Sequence, residues 1–432
     1  MNPARSLAQP ALTVSQPENT RVAEGKKPSF TEKKFVVTLI FVTSLFLLWG
    51  LAITMGDVLN RHFQDVLHVS KSESGLVQFS IFGAYAVMGI PAGLFMKRFG
   101  YKKGVLLGLL LYAAGAFLFV PAANAGSFTF FRLALFVLAC GLATLETVAH
   151  PFVAALGHQK FSDQRLNFAQ SFNGLGAVIG PLIGGYFLLR GGQDGSHDLS
   201  SVKLLYQVIG GVIVLLALGF SLVKVPQLSS QDHAAEAGGQ VVPLEGGKKK
   251  SLFAHKHFVW AVVAQFFCVA SQGGTWAFFI NYGVEKMGFT GETSAYYFAL
   301  SMVMMMIGRF VGTALMRYIA PNKLLALFAL GSILSCLVVA QSWGWPSFIA
   351  LLLINFFFSI MFPTIFSLGL KDLGAHTQQA SSFIVMGVVG GAVFPPLMGL
   401  VANHDVAAAY YLPIICYVVV FLFGTKLFKV KS

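Results

Sequence analysis

PQLSSQDHAAEAGGQVVPLEGGKKKSLFAHK, residues 226–256, is the stretch that decides the fold. It opens on Pro226, is rich in Gly, Gln and Ala, and is the longest polar break in the chain. Six apolar runs precede it, near 35–60, 73–97, 102–122, 127–155, 165–190 and 203–225. Six follow it, near 257–284, 293–317, 322–342, 346–370, 378–402 and 407–428. A helix needs about 20 apolar residues to cross the hydrocarbon of a bilayer, and each run approaches or exceeds that length. Backbone groups in lipid must be satisfied within their own segment, so the runs read as helices. The short alternating segments of a strand barrel do not occur. The expectation is an all-α membrane protein with twelve transmembrane helices in two six-helix bundles.

Composition supports this reading and excludes others. Of 432 residues, 56% are hydrophobic and 11% charged, where a soluble domain carries roughly 25% charged residues. The 42 Phe and a mean hydropathy of +0.72 are the reverse of a disordered composition. The net charge of +13 reads as membrane topology and not as a nucleic-acid face. Cys140, Cys268, Cys336 and Cys416 all lie in apolar segments without CxxC pairing, so they read as small core residues. No metal centre and no cofactor is expected.

The basic residues set the orientation. Arg5, Arg21, Lys26, Lys27, Lys33 and Lys34 precede the first run, and Lys97, Arg98, Lys102 and Lys103 follow the second. Lys248, Lys249 and Lys250 lie in the break, and Lys426, Lys429 and Lys431 close the chain. The other side holds little beyond Arg61 and Lys71. This bias predicts both termini in the cytoplasm of a bacterium, with the chain in the inner membrane. The expected divisions are a cytoplasmic tail at 1–33, an N-terminal bundle at 34–225, a cytoplasmic linker at 226–256, a C-terminal bundle at 257–428 and a cytoplasmic tail at 429–432. The halves repeat. Gly89, Gly93 and Arg98 match Gly308, Gly312 and Arg317 at a constant offset of 219, and Pro151–Gly157 matches Pro363–Gly369. Two six-helix halves in this parallel relation are the plan of the major facilitator fold, with a substrate site at midplane between them. A twelve-span channel ranks below it.

Two acids fall inside the apolar runs, Asp57 in span 1 and Glu146 in span 4. A carboxylate in the bilayer costs about 2.5–3.5 kcal/mol even on the lenient insertion scale, so each is a functional candidate. Low dielectric favours the neutral form of a carboxyl, and one that gains and loses a proton is what a proton-coupled carrier requires. The competing readings are an early end to span 1, with Asp57 in water, and a structural ion pair of Glu146 with Arg132 or Arg309. Span 5 carries Asn167, Gln170 and Asn173 on one stripe. Span 7 carries Gln265, Gln272 and Trp276 on one face. Trp49 in span 1 and Gln78 in span 2 add an aromatic face and another amide. Together these suit a sugar, although amides also join helices in lipid. His150, four residues after Glu146, could tune that acid, bind substrate, relay a proton or simply bond backbone. Arg309, with Arg98 and Arg317 in the repeated loops, reads as structural or gating. Gly176, Gly180 and Gly184 in span 5, and Gly387, Gly391, Pro395, Pro396 and Gly399 in span 11, read as close or moving helix contacts.

Seven stretches carry a resemblance. They are WGLAITMGDVL (49–59), IPAGLFMKRFGYKKG (90–104), GLATLETVAHPFVAALG (141–157), RLNFAQSFNGLGA (165–177), GRFVGTALMRYIAP (308–321), FPTIFSLGLKDLG (362–374) and SSFIVMGVVGG (381–391). In these the chain resembles the fucose:proton symporter family of the major facilitator superfamily. The resemblance implies that Asp57 is the coupling carboxylate. It implies that Glu146 takes part in sugar recognition and coupling, and that Gln170 and Asn173 line the sugar cavity. His150 stands where the family usually has Asn, Phe362 where Tyr is common, and Thr54 and Met55 replace a more amide-rich stretch. Lys97 stands where many superfamily members carry Asp. The wider family includes carriers resembling those for glucose, galactose and N-acetylglucosamine.

The expected function is inward symport of a monosaccharide, L-fucose or a related hexose, with a proton. It is carried out by a monomer in the lipid bilayer with no nucleic-acid partner. A sodium-coupled or uncoupled sugar transporter is the first alternative, since carboxylates also suit sodium. A drug or metabolite exporter is the second, and the amide stripes argue against it. No arrangement of residues suits an enzyme.

Overall fold

The computed structural model describes residues 30–31, 33–157, 162–190, 199–222, 252–373 and 377–429. Nearly all of the expected tails and linker lie outside the described residues, as do the side chains of Lys97, Pro151 and Asn167. Among the described residues there are no strands, and twelve helices are long and apolar enough to cross a membrane. We label them α1 Val36–Leu67, α2 Lys71–Met96, α3 Arg98–Ala125, α4 Phe128–His150, α5 Phe168–Leu189 and α6 Leu199–Leu222. The second half holds α7 Lys256–Ala277, α8 Gly291–Leu315, α9 Pro321–Ala340, α10 Trp345–Gly369, α11 Phe383–Ala402 and α12 Ala408–Leu427.

The ends follow from local chemistry. Gly100, at φ 82° and ψ 171°, kinks the chain within the first turn of α3, in a region that suits a residue without Cβ. Ser127 caps α4 by accepting from the Phe130 N–H at 3.4 Å, and Thr290 caps α8 by accepting from Thr293 N–H at 3.1 Å. Pro321 opens α9, where its missing N–H costs nothing.

Three expected spans are interrupted. The chain leaves the helix at Phe278 after α7 and resumes over Phe279–Met287. Span 10 pauses between Phe358 and Met361, and span 11 passes through a tight turn at Gly387–Val389. Hydropathy reports the length of an apolar run, not the continuity of its hydrogen-bond ladder. Breaks at membrane depth are tolerated where protein covers them, and Phe278 is fully buried.

Within the N-terminal half α1 lies directly on α5. A Cβ on Gly176 would strike the Leu47 carbonyl and sit 2.9 Å from the Leu51 nitrogen, and one on Gly50 would strike the Asn173 carbonyl. Only glycine permits this crossing. Phe119 of α3 and Tyr206 of α6 stack at 3.6 Å between ring centroids. In the C-terminal half α7 lies on α11, with Gly390 against the Phe266 carbonyl. Many large residues left exposed, among them Leu110, Leu133 and Leu215, are apolar, as a lipid-facing surface requires.

The two halves are fastened at one end. Lys71 Nζ bonds Glu285 Oε2 at 2.8 Å and donates to the Ala402 carbonyl at 2.7 Å. The Lys71 backbone N–H donates to Asn403 Oδ1 at 2.8 Å, and Arg61 Nη1 reaches Glu285 Oε1 at 3.9 Å. The Gly75 backbone lies against that of Pro395. On the same rim the Lys286 ammonium beside Asp405 holds its carboxyl below the usual range.

Candidate functional site

Between the halves lies a cavity of about 2360 Å³. It reaches from Trp49, Thr54 and Trp276 at its depth to Lys102, Lys103 and Arg317 at its mouth, away from the fastened end. A void this size exceeds a single small ligand, as expected of a chamber open to water.

The N-terminal wall is built on i,i+3 and i,i+4 spacings. Glu146 and His150 stand one turn apart on α4, Gln170 and Asn173 one turn apart on α5, and all four line the cavity. The Trp49 Nε1–H donates to the Tyr85 hydroxyl, and that hydroxyl is hydrogen-bonded to the Glu146 carboxyl. Glu146 therefore keeps acceptor capacity free towards the chamber. Gln170 Nε2 and His150 Nε2 meet at 2.7 Å, and the ring is also bonded to the Glu146 backbone. Phe46 packs edge-on to the imidazole at 5.2 Å and Trp49 at 6.3 Å. Asn173 Nδ2 donates to the Phe46 carbonyl at 3.3 Å, which fixes its amide against α1.

The C-terminal wall presents Gln272, Trp276, Met305, Met306, Arg309 and Phe362. Trp276 donates from Nε1 to Asn355 Oδ1 at 2.6 Å, and Asn355 Nδ2 donates to Ser301 Oγ at 2.9 Å. A dry amide thus holds the indole against the chamber. Arg309 makes no ion pair with a described residue, and Arg132 lies over the Phe128 ring at 5.9 Å. The structural ion pair weighed for Glu146 is not formed among the described residues.

Four of the residues singled out from the sequence stand off the cavity. Asp57 is only 4% exposed and lies beyond the deep end, on the side where the halves are fastened. It is inside the protein and not in bulk water, and it accepts from Gln78 Nε2 at 2.9 Å. Gln78, expected among the substrate ligands, is 2% exposed and engaged with Asp57 and Asn60. Gln265 is fully buried and neither polar atom of its amide has a hydrogen-bond partner among the described residues. Neither amide lines the chamber: Gln78 is turned to Asp57 and Asn60, and Gln265 lies against Gly387 of α11. Arg98 packs over the Phe99 ring at 5.3 Å and does not line the cavity. Sequence reasoning missed Tyr85 and Asn355. The signals were there: Tyr85 lies seven residues after Gln78 on α2, and Asn355 is an amide within the apolar α10.

Twelve spanning helices in two halves, closed at one end around a polar and aromatic chamber, define a membrane carrier that moves solutes and not an enzyme. Residues 35–395 match the family model of the Major Facilitator Superfamily, and the chain belongs to the fucose:proton symporter family within it. It is 37% identical over 418 residues to the L-fucose-proton symporter of Escherichia coli (strain K12), covering 92% of this chain and 94% of that one. It is 33% identical over 399 residues to the glucose/galactose transporter of Brucella abortus biovar 1 (strain 9-941), covering 91% and 95%. A crystal structure of a variant of the E. coli fucose:proton symporter superposes with a TM-score of 0.64 at 37% identity, covering 91% of this chain and 98% of that one.

Proposed function

We propose that this protein carries a monosaccharide into a bacterial cell together with a proton, by alternating access. One arrangement carries the reading. Glu146 is offered to a two-sided chamber beside paired amides and two indoles, in a chain 37% identical to an L-fucose-proton symporter. Sugar hydroxyls are donors and acceptors on adjacent carbons, and carboxylate and amide groups meet both. Glu146, Gln170, Asn173 and Gln272 would bond the hydroxyls while Trp49 or Trp276 packs on the ring face. His150 would hold the Gln170 amide in place, and Phe362 would add apolar wall. Arg309 and Arg317 would act in gating, and Arg98 would support the loop between α2 and α3.

Asp57 is the coupling carboxyl in this reading. It takes a proton from outside while the chamber opens there. Once neutral, it can be enclosed at the fastened end without the cost of burying a charge. The lysine and arginine distribution supports an open mouth in the cytoplasm, and in this reading both termini, the tails at 1–33 and 429–432 and the linker at 226–256 lie on that side of the inner membrane. The bundles at 34–225 and 257–428 then rock about the site in a monomer. Released proton and sugar leave through the mouth between Lys102 and Arg317.

The substrate is L-fucose or a related hexose, and a glucose or galactose carrier is the second reading, favoured by the Brucella relative. Counterflow of labelled L-fucose in vesicles against unlabelled monosaccharides, at two pH values, tests both. L-Fucose should compete best in counterflow, and uptake driven by a pH gradient in the same vesicles should collapse with a proton ionophore. Preference for glucose or galactose would move the assignment to the second reading, and uptake that needs sodium would replace the proton.

Tyr85→Phe removes the acceptor of Trp49 and the donor to Glu146 without changing the fold. A hydrogen bond to a charged group is worth about 1.5–3 kcal/mol. The variant is therefore expected to bind sugar about tenfold or more weakly, with unfolding temperature nearly unchanged. Titration of intrinsic tryptophan fluorescence reads this directly. Wild-type affinity would show that the hydroxyl does not organise Glu146.

A further inference from the structure

A chain of buried amides runs from Asp57 to the opposite half of the protein. Gln78 Nε2 donates to Asp57 Oδ1 at 2.9 Å, which leaves Gln78 Oε1 to accept from Asn60 Nδ2 at 3.3 Å. Asn60 Nδ2 spends its other hydrogen on the Ala277 carbonyl at 3.1 Å, where α7 breaks. Asn60 Oδ1 accepts from Gln64 Nε2 at 2.9 Å, and the Gln64 amide meets that of Asn281 beyond the break. Asn60 and Asn281 are fully buried, and neither lines the chamber. Every donor of Asn60 is thereby committed, one towards Asp57 and one across the closed end.

We propose that Gln78 and Asn60 are positioning residues that tie the charge of Asp57 to closure of this end. The inference rests on the reading of Asp57 as the coupling carboxyl. An ionised carboxylate accepts on both oxygens and draws donors and water to itself. That competes with the bridge to Ala277 and favours parting of the halves. A neutral carboxyl accepts the one Gln78 bond and leaves Asn60 on Ala277, so the closed form of this end is favoured. The ionisable groups on the surrounding elements are engaged elsewhere. On α1, His62 bonds the Leu188 carbonyl of α5 and Arg61 bonds Asp65. Lys71 of α2 bonds Glu285, which follows α7, while Tyr85 of α2 bonds Glu146 of α4. None of these bonds Asp57, whose side-chain partner among the described residues is Gln78.

The test uses the full chain in lipid nanodiscs, with spin labels at Ala125→Cys and Trp343→Cys, one in each half at the fastened end. Electron–electron distances are recorded at pH 6 and pH 8 without sugar. The wild type should shift towards the short, closed distance at pH 6, and Asp57→Asn should favour the closed distance equally at both values while still sampling the open one. Asn60→Leu and Gln78→Leu should each lose the pH shift, and Asn60→Leu should lower the closed-to-open ratio at pH 6 about tenfold. Lys71→Met, which loosens the same end away from the amide chain, should move the ratio but keep the pH shift. Asn60→Thr, close in volume and with one donor instead of two, serves if the leucine variant does not fold, and it should flatten the shift in the same way. A pH shift retained in the Asn60 variants, as in Lys71→Met, would overturn the amide link and leave Asp57 in its role. A flat wild type, or a shift that survives Asp57→Asn, would overturn both.

Discussion

Asp57→Asn is expected to go on exchanging labelled for unlabelled sugar while losing all accumulation driven by a pH gradient. The asparagine oxygen can still accept from Gln78 Nε2, which now bonds Asp57 at 2.9 Å. The closed end should therefore form as in the wild type. What is lost is the charge. With one proton per sugar, a gradient of one pH unit drives about tenfold accumulation, since each 1.4 kcal/mol is a factor of ten. The variant should equilibrate to a ratio of about one. Counterflow and gradient-driven uptake measured on the same vesicles separate the two steps. Uphill uptake at the wild-type level would remove Asp57 from the coupling, and loss of both would mean that it serves binding or folding.

The second large effect lies in the packing of α1 on α5. Gly176→Val would drive its side chain into the Leu47 carbonyl and the backbone at Leu51. Backbone cannot give way as a side chain tip can. Overpacking in a formed core costs about 1–3 kcal/mol and occasionally more, and this site belongs at the upper end. It also displaces α5, which carries Gln170 and Asn173, so sugar binding should fall with stability. Gly83→Ala is the control. No atom lies within 4 Å of its added carbon, and alanine gains up to about 1 kcal/mol over glycine in a helix. Thermal unfolding in detergent should show Gly176→Val well below the wild type and Gly83→Ala at or above it. Equal unfolding temperatures would mean that the two helices do not cross as closely as described.

The same crossing shows how far the residues could be read in advance. The fourfold spacing of Gly176, Gly180 and Gly184 announces a close contact, because small residues serve no other purpose so often in lipid. It does not say that the partner is α1 at Gly50. Glu146 and His150 were legible as a pair from their i,i+4 spacing, and both line the chamber. Gln78 and Gln265 looked no different from Gln170 and Gln272, yet two face the chamber and two do not. In a water-soluble helix the polar face points outwards and reveals the rotation. Here lipid and the protein interior are both apolar, so hydropathy carries almost no information about which way a helix is turned.

What the amino-acid order determined by itself is everything that depends on distance along the chain. That covers the number of spans, the two acids set within apolar runs and the repeat between the halves. What only the tertiary structure decided is everything that depends on rotation and on which end is shut. Asp57 is enclosed beyond the chamber, Tyr85 stands between Trp49 and Glu146, and Asn60 reaches across to a carbonyl at a broken helix. Each of those joins residues from separate helices, and helices packed in a uniformly apolar solvent find their facing only through contact with one another.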